Sequence, residues 1–152
     1  MVKISDILNI ESISLGSELD SKEEIIKELV ELAQKSGNFN DVEAIYNSAL
    51  ERENVMSTGI GNNIAIPHTK SSEIKELTAA LMTFEKPVNF DSLDGKKISI
   101  AFLILSNNKE LGMHIRILSK ISRILHNRSF FDELLTLNKS TEVIELFDNF
   151  EN

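Results

Sequence analysis

The chain contains no cysteine. That absence excludes disulfides, thiolate metal sites and a cysteine nucleophile. It also lacks a basic excess: Lys and Arg total 16 against 24 Asp and Glu, a formal net charge of −8. Nucleic-acid binding and docking on an anionic membrane both need a basic face, so neither is expected. An acidic surface suits a basic protein partner instead. No apolar run is long enough to cross a bilayer, and the start MVKISDILNIES is broken by Asp6, Asn9 and Glu11 before a signal sequence forms. The expected location is the cytoplasm. Neither an internal repeat nor a Pro/Gly/Ser-rich linker divides the sequence. With 41% hydrophobic residues, positions 1–152 are expected to form a single domain around one core.

Helical periodicity is clear at both ends of what remains. Ser21 to Ser36 opens on a capping box of Ser21 and Glu24, closes at Gly37, and lines up Ile25, Ile26, Leu29, Val30, Leu32 and Ala33 on one face. A second helix is expected from Asp41 to Arg52, capped by Asn40. In the middle the period changes: NIAIP (63–67), LTAALMTF (77–84) and ISIAFLIL (98–105) read as strands. The last is interrupted only by Ser99, so it belongs at the centre of a sheet covered on both faces. KPVNFDSLDGKK reads as a loop turning at Asp94 and Gly95. Helices return in LGMHIRILSKISRILHN, SFFDELLTL and STEVIELFDNF. The fold class is α/β: a mixed β-sheet flanked by helices on both faces.

The stretch GIGNNIAIPHTK, Gly59 to Lys70, carries the chemistry. Pro67 fixes its own φ and biases Ile66 to an extended conformation, so the strand is expected to end there, with His68 at the sheet rim. Thr69, Ser71 and Ser72 offer hydroxyl or backbone donors beside it. Gly59 and Gly61 let the backbone pass close to a ligand or a neighbouring loop. GIGNNI is no dinucleotide fingerprint, lacking the third glycine and preceding a strand, and no Gly-Lys-Ser/Thr follows to make a phosphate-binding loop. A solvated turn histidine is the competing reading of His68. His114 shares a helical stripe with Ile117, Leu118, Ile121 and Leu125, so it faces inward in the first turn after the central strand. Its competing reading is a core histidine satisfied by a backbone carbonyl. His126 follows the last periodic residue of that helix, where an imidazole caps the C-terminus. A metal site using His68 and His114 with carboxylates would lack any HxH or HExxH spacing.

STGIGNNIAIPHTK resembles the phosphorylation-site signature of the fructose/mannitol-type enzyme IIA domains of the bacterial phosphoenolpyruvate-dependent sugar phosphotransferase system. In that family a Gly-Ile-Gly-Asn run leads to apolar-Ala-apolar-Pro-His. Glu51, Arg52 and Glu53 stand where the family carries an upstream Arg-Glu pair, and HIRILSKIS (114–122) fits the segment that begins at its second histidine. Asn63 departs from the family's usual Gly, and Thr69 from its Gly, Ala or Cys. The resemblance spans the whole chain and implies an enzyme IIA-like sandwich. It implies that His68 carries a phosphoryl group, with His114 and Arg52 beside it and Gly59, Gly61, Asn62, Pro67 and Thr69 shaping the site; no metal or cofactor is implied. The implied donor is the histidine-containing phosphocarrier protein, and the implied acceptor a cysteine of a sugar-specific enzyme IIB. Contact with the membrane would come only through the IIC transporter. A regulatory, nitrogen-type enzyme IIA shares the motif and is the alternative reading.

Overall fold

The apolar run Ile98–Ser106 forms the strand on which the other layers are built. In the computed structural model, which describes residues 2–152, the strands are β1 (Ile13–Ser17), β2 (Gly59–Gly61), β3 (Ile64–Ala65), β4 (His68–Lys70), β5 (Thr78–Val88) and β6 (Ile98–Ser106). They make one sheet in the order β1-β5-β6-β3-β2, with β4 also paired to β6. β5 lies antiparallel along one edge of β6, while β3 and β4 follow each other in parallel along the opposite edge. The helices are α1 (Ile4–Ile7), α2 (Lys22–Gln34), α3 (Val42–Val55), α4 (Leu111–His126), α5 (Arg128–Thr136) and α6 (Ser140–Glu151).

Alternation along β6 divides the core in two. Ile100, Phe102 and Ile104 pack with Ile117 and Ile121 of α4, Phe130 of α5 and Phe147 of α6. Ala101, Leu103 and Leu105 face the other way, against Ile25 and Leu29 of α2 and Ala49 of α3. Helices therefore cover both faces, as the uninterrupted apolar character of this strand requires. The ends of the chain are tied across the α4 face. Glu151 pairs with Lys120 at 2.5 Å and accepts the Ile4 N–H at 2.9 Å, while Lys120 donates to the Val2 carbonyl at 2.8 Å.

The expected helices at both ends of the chain form, with shifted details. Ser21 caps α2 by accepting the Glu24 N–H. α3 is capped by Asp41 rather than Asn40, because the Asp41 carboxylate reaches the Ala44 N–H at 3.0 Å. β5 runs on to Val88, so part of the expected 86–97 loop is strand; a bulge between Thr83 and Val88 exposes Glu85, Lys86 and Pro87, and proline is tolerated where the ladder is already open. α1 and β1 lie in a polar segment that carries no clear period. The strand at NIAIP does not end at Pro67. Pairing lapses at Ile66 and Pro67 and resumes in unchanged register, Ile64 opposite Ile100, Ala65 opposite Ala101, His68 opposite Ile104. A proline has no N–H to give the ladder, but its fixed φ is compatible with an extended chain, so it interrupts the strand without redirecting it.

Asn62 and Asn63 make the turn from β2 to β3 with φ of 57° and 69°. Two left-handed residues in a two-residue hairpin suit the twist of the strands, and asparagine tolerates this region where a β-branched residue does not. The Asn63 amide also donates to the Lys97 carbonyl at 2.8 Å. The departure from glycine at this position is therefore accommodated by the backbone. Asn63→Gly should leave stability nearly unchanged, whereas Asn63→Val should cost about 1–2 kcal/mol, read as a drop in the urea midpoint at constant slope.

Candidate functional site

Parallel pairing sets which side chains meet. Residues opposite one another in a parallel ladder point to the same face, so His68 projects with Ile104 and Lys70 with Ser106, toward α4, while Thr69 projects with Leu105 toward α3. On the α4 face the buried Ser106 hydroxyl lies 2.5 Å from His114 Nδ1. His114 is 3% exposed, and its ring centroid stands 5.4 Å from that of His68 with the planes inclined at 56°. Arg52, His68, Thr69, Lys70, Leu111, His114 and Ile115 line an open depression of about 390 Å³. No carboxylate lines it, so the acidic excess of the chain is not expressed at this site. Leu111 and Ile115, one helical turn apart on α4, are 51% and 57% exposed at its margin.

His68 is half-buried and its Nδ1 lies 2.8 Å from the Ile66 carbonyl. A carbonyl oxygen only accepts, so Nδ1 holds the ring proton and Nε2 is left with its lone pair. Burial lowers the His68 pKa below the ordinary histidine value; Arg52 and Lys70 push the same way, against the Ile66 carbonyl and Glu53. Burial, then charge on His68 and Lys70, brings His114 down to about 4. Both rings are neutral at pH 7. An imidazole in that state is a nucleophile or a hydrogen-bond donor, not a resident cation. The positive charges come instead from Arg52 and Lys70.

The loop before His68 is anchored from below. Glu53, 3% exposed at the end of α3, pairs with Lys22 at 2.8 Å and accepts from the Thr58 N–H at 2.8 Å and the Thr58 hydroxyl. A carboxylate removed from water needs such partners. Thr58 in turn accepts the Ile66 N–H at 3.0 Å, and Ile66 holds His68. The Thr69 hydroxyl is bonded to Ser48 of α3 at 2.6 Å and so ties β4 to that helix. Ser48 lies one turn before Arg52, whose guanidinium donates to the Met56 carbonyl at 2.9 Å.

Of the residues singled out in the sequence, His68, His114, Arg52 and Thr69 come together. Pro67 is buried at the break between β3 and β4. Gly59, Gly61 and Asn62 belong to the neighbouring hairpin: a Cβ on Gly59 would meet the Ser92 backbone, and Gly61 and the Asn62 N–H face Asp94. Ser71 and Ser72 do not line the depression. His126 is exposed in the last turn of α4, where its Nδ1 meets the Ser122 carbonyl at 2.7 Å, and the C-cap position is held by Asn127 instead. Lys70 and Ser106 gave no signal of their own, although alternation from His68 and the end of the central strand would have placed both on the α4 face. Among the described residues no three His, Asp or Glu side chains converge to hold a metal ion. No helix among them is long and apolar enough to cross a membrane.

The chain is a small α/β protein, a mixed sheet between two helical layers with two neutral histidines and the cations Arg52 and Lys70 at one open depression. The sequence pattern of the family described as "Phosphoenolpyruvate-dependent sugar phosphotransferase system, EIIA 2" matches residues 6–150, and the chain belongs to that family. It is 35% identical over 132 residues to the PTS system fructose-specific EIIA component of Haloferax volcanii, covering 87% of this chain and 86% of that one. To the PTS system fructose-specific EIIABC component of Bacillus subtilis it is 31% identical over 147 residues, which is 97% of this chain but 23% of that protein. The crystal structure of nitrogen regulatory protein IIA-Ntr from Neisseria meningitidis superposes with a TM-score of 0.89 at 30% identity, covering 95% and 98% of the two chains. The Escherichia coli complex of enzyme IIAMTL with phosphorylated enzyme IIBMTL gives 0.79 at 23% identity, covering 94% and 99%; the likeness there is one of fold.

A buried neutral histidine makes stability depend on pH. Above the ordinary value of 6.5 folded and unfolded chains both hold His114 neutral; as pH falls toward about 4 only the unfolded chain takes up the proton. Stability is therefore lost in that window, by up to about 3 kcal/mol below it. Urea unfolding at pH 7, 5.5 and 4.5 should show a steeper loss for the native chain than for His114→Gln; parallel losses would contradict the assignment.

Proposed function

We propose that the chain is a cytoplasmic phosphocarrier acting as a single enzyme IIA unit, taking a phosphoryl group onto His68 from the histidine-containing phosphocarrier protein and passing it to a cysteine of a sugar-specific enzyme IIB. The observation that carries this reading is the bond from His68 Nδ1 to the Ile66 carbonyl, which commits Nε2 to the role of nucleophile. In the first step the Nε2 lone pair forms a bond to phosphorus as the donor's P–N bond breaks, and that electron pair returns to the donor imidazole. The proton stays on His68 Nδ1, donated to the Ile66 carbonyl. In the second step a partner thiolate forms the S–P bond and the electron pair of the N–P bond returns to Nε2. Neither step moves a proton on His68. The loose transition state of such a transfer needs alignment and charge stabilisation rather than covalent chemistry from the protein.

The surrounding groups fit those needs. Arg52 offers positive charge, and His114, whose Nδ1 is held by the Ser106 hydroxyl, stands beside His68 where its ring can help to position the phosphoryl group. Exposed Leu111 and Ile115 give a docking partner an apolar footing next to the reacting atom. With phosphoenolpyruvate, enzyme I and the carrier protein, the native chain should take up one acid-labile phosphate and His68→Ala none. Label persisting in His68→Ala, on His114 or His126, would overturn the assignment.

A regulatory role is the second reading, favoured by the likeness to the nitrogen regulatory protein of Neisseria meningitidis. Transport is preferred on the higher identity to a fructose-specific EIIA component. Labelled protein mixed with fructose-, mannitol- and galactitol-type IIB domains should lose its label to at least one. In that assay His114→Ala should still accept phosphate but pass it on more slowly, on the order of tens-fold or more. Label retained against every IIB domain, with phosphorylation switching affinity for a different protein, would favour regulation.

A further inference from the structure

Arg52 approaches His68 from α3, and one of its N–H groups is already given to the Met56 carbonyl. Lys70 lines the same depression from β4. Its register is fixed: it lies opposite Ser106, the residue whose hydroxyl meets His114, and two positions beyond His68 on the same face of the same strand. It lines the depression together with both histidines. No hydrogen bond or ion pair holds its ammonium among the described residues, although the chain as a whole is acidic.

We propose that Lys70 is a phosphoryl-binding cation, whose ammonium engages the oxygens of the group carried on His68 Nε2 in addition to Arg52. This rests on His68 being the phosphoryl carrier. Lys70 donates hydrogen bonds and gives up no proton. A flexible ammonium can follow the phosphoryl group between donor and acceptor, whereas a guanidinium tethered to the end of its own helix holds one position. The positive charge of Lys70 acts on both rings in the unphosphorylated protein, opposing their protonation. After transfer the same charge offsets the phosphoryl dianion.

The test compares the native chain with Lys70→Gln and Lys70→Arg, each checked for native spectra. In the unphosphorylated protein, NMR titration of the ring protons should show the pKa values of His68 and His114 rising in Lys70→Gln and holding in Lys70→Arg. With enzyme I, the carrier protein and phosphoenolpyruvate, Lys70→Gln should shift the phosphoryl equilibrium toward the carrier protein by about tenfold at low salt, with a smaller shift at high salt, and Lys70→Arg should recover most of it. Native protein that takes no label would remove the carrier reading itself, while the ring titrations would still report where Lys70 stands. Native protein labelled on His68, with Lys70→Gln matching it in equilibrium and forward rate, would overturn the role given to Lys70.

Discussion

The pairing of β4 with β6 is the constraint on which the site depends. Because His68 lies opposite Ile104 and Lys70 opposite Ser106, one ladder decides which side chains meet α4. A slip of one residue would turn Thr69 toward α4 and send His68 and Lys70 to the α3 side. Three features hold the register. Ala65 is already paired with Ala101 before the break at Pro67, the Pro67 carbonyl accepts the Ile104 N–H, and Thr69 is fastened to Ser48. The site is thus a property of the sheet rather than of a mobile loop.

Proline at position 67 has two effects at once. It removes a donor from the ladder, and the chain around it adopts a geometry in which the Ile66 carbonyl meets His68 Nδ1. The same carbonyl then chooses the tautomer. Glu53 supports this arrangement at a distance: its buried charge binds Lys22 and Thr58, and Thr58 holds Ile66. Burial of both imidazoles lowers their pKa values, so the pocket stays free of histidine charge while Arg52 and Lys70 supply positive potential at its edge.

Much of this was legible in the sequence where a strong local rule applied. The nearly unbroken run ISIAFLIL reads as a central strand, and the inward stripe of His114, Ile117, Leu118, Ile121 and Leu125 matches the buried face of α4 except at Leu118, which is only partly buried. What escaped reading depended on distant partners. β1 is a short strand whose place is set by pairing with β5, and β2 pairs only with β3, so neither carries a period of its own. The continuation of the strand beyond Pro67 follows from β6, which offers the ladder again at Ile104. Lys70 and Ser106 were silent for the same reason, since a single lysine or serine acquires meaning only when register brings it beside a histidine. Gly59 and Gly61 announced a close approach without naming the neighbour, which is the turn at Ser92 to Asp94.

The clamp formed by Lys120, Glu151, Val2 and Ile4 has a topological consequence. Lys3 also reaches the Asn152 side chain at 3.2 Å, so the two ends of the described chain stand side by side. Joining them by a short linker would close a loop at little entropic cost, and the chain could be opened elsewhere at an exposed turn such as Asp94–Gly95. The same adjacency makes the fold a cassette that can be spliced into a longer polypeptide through a single point of entry and exit.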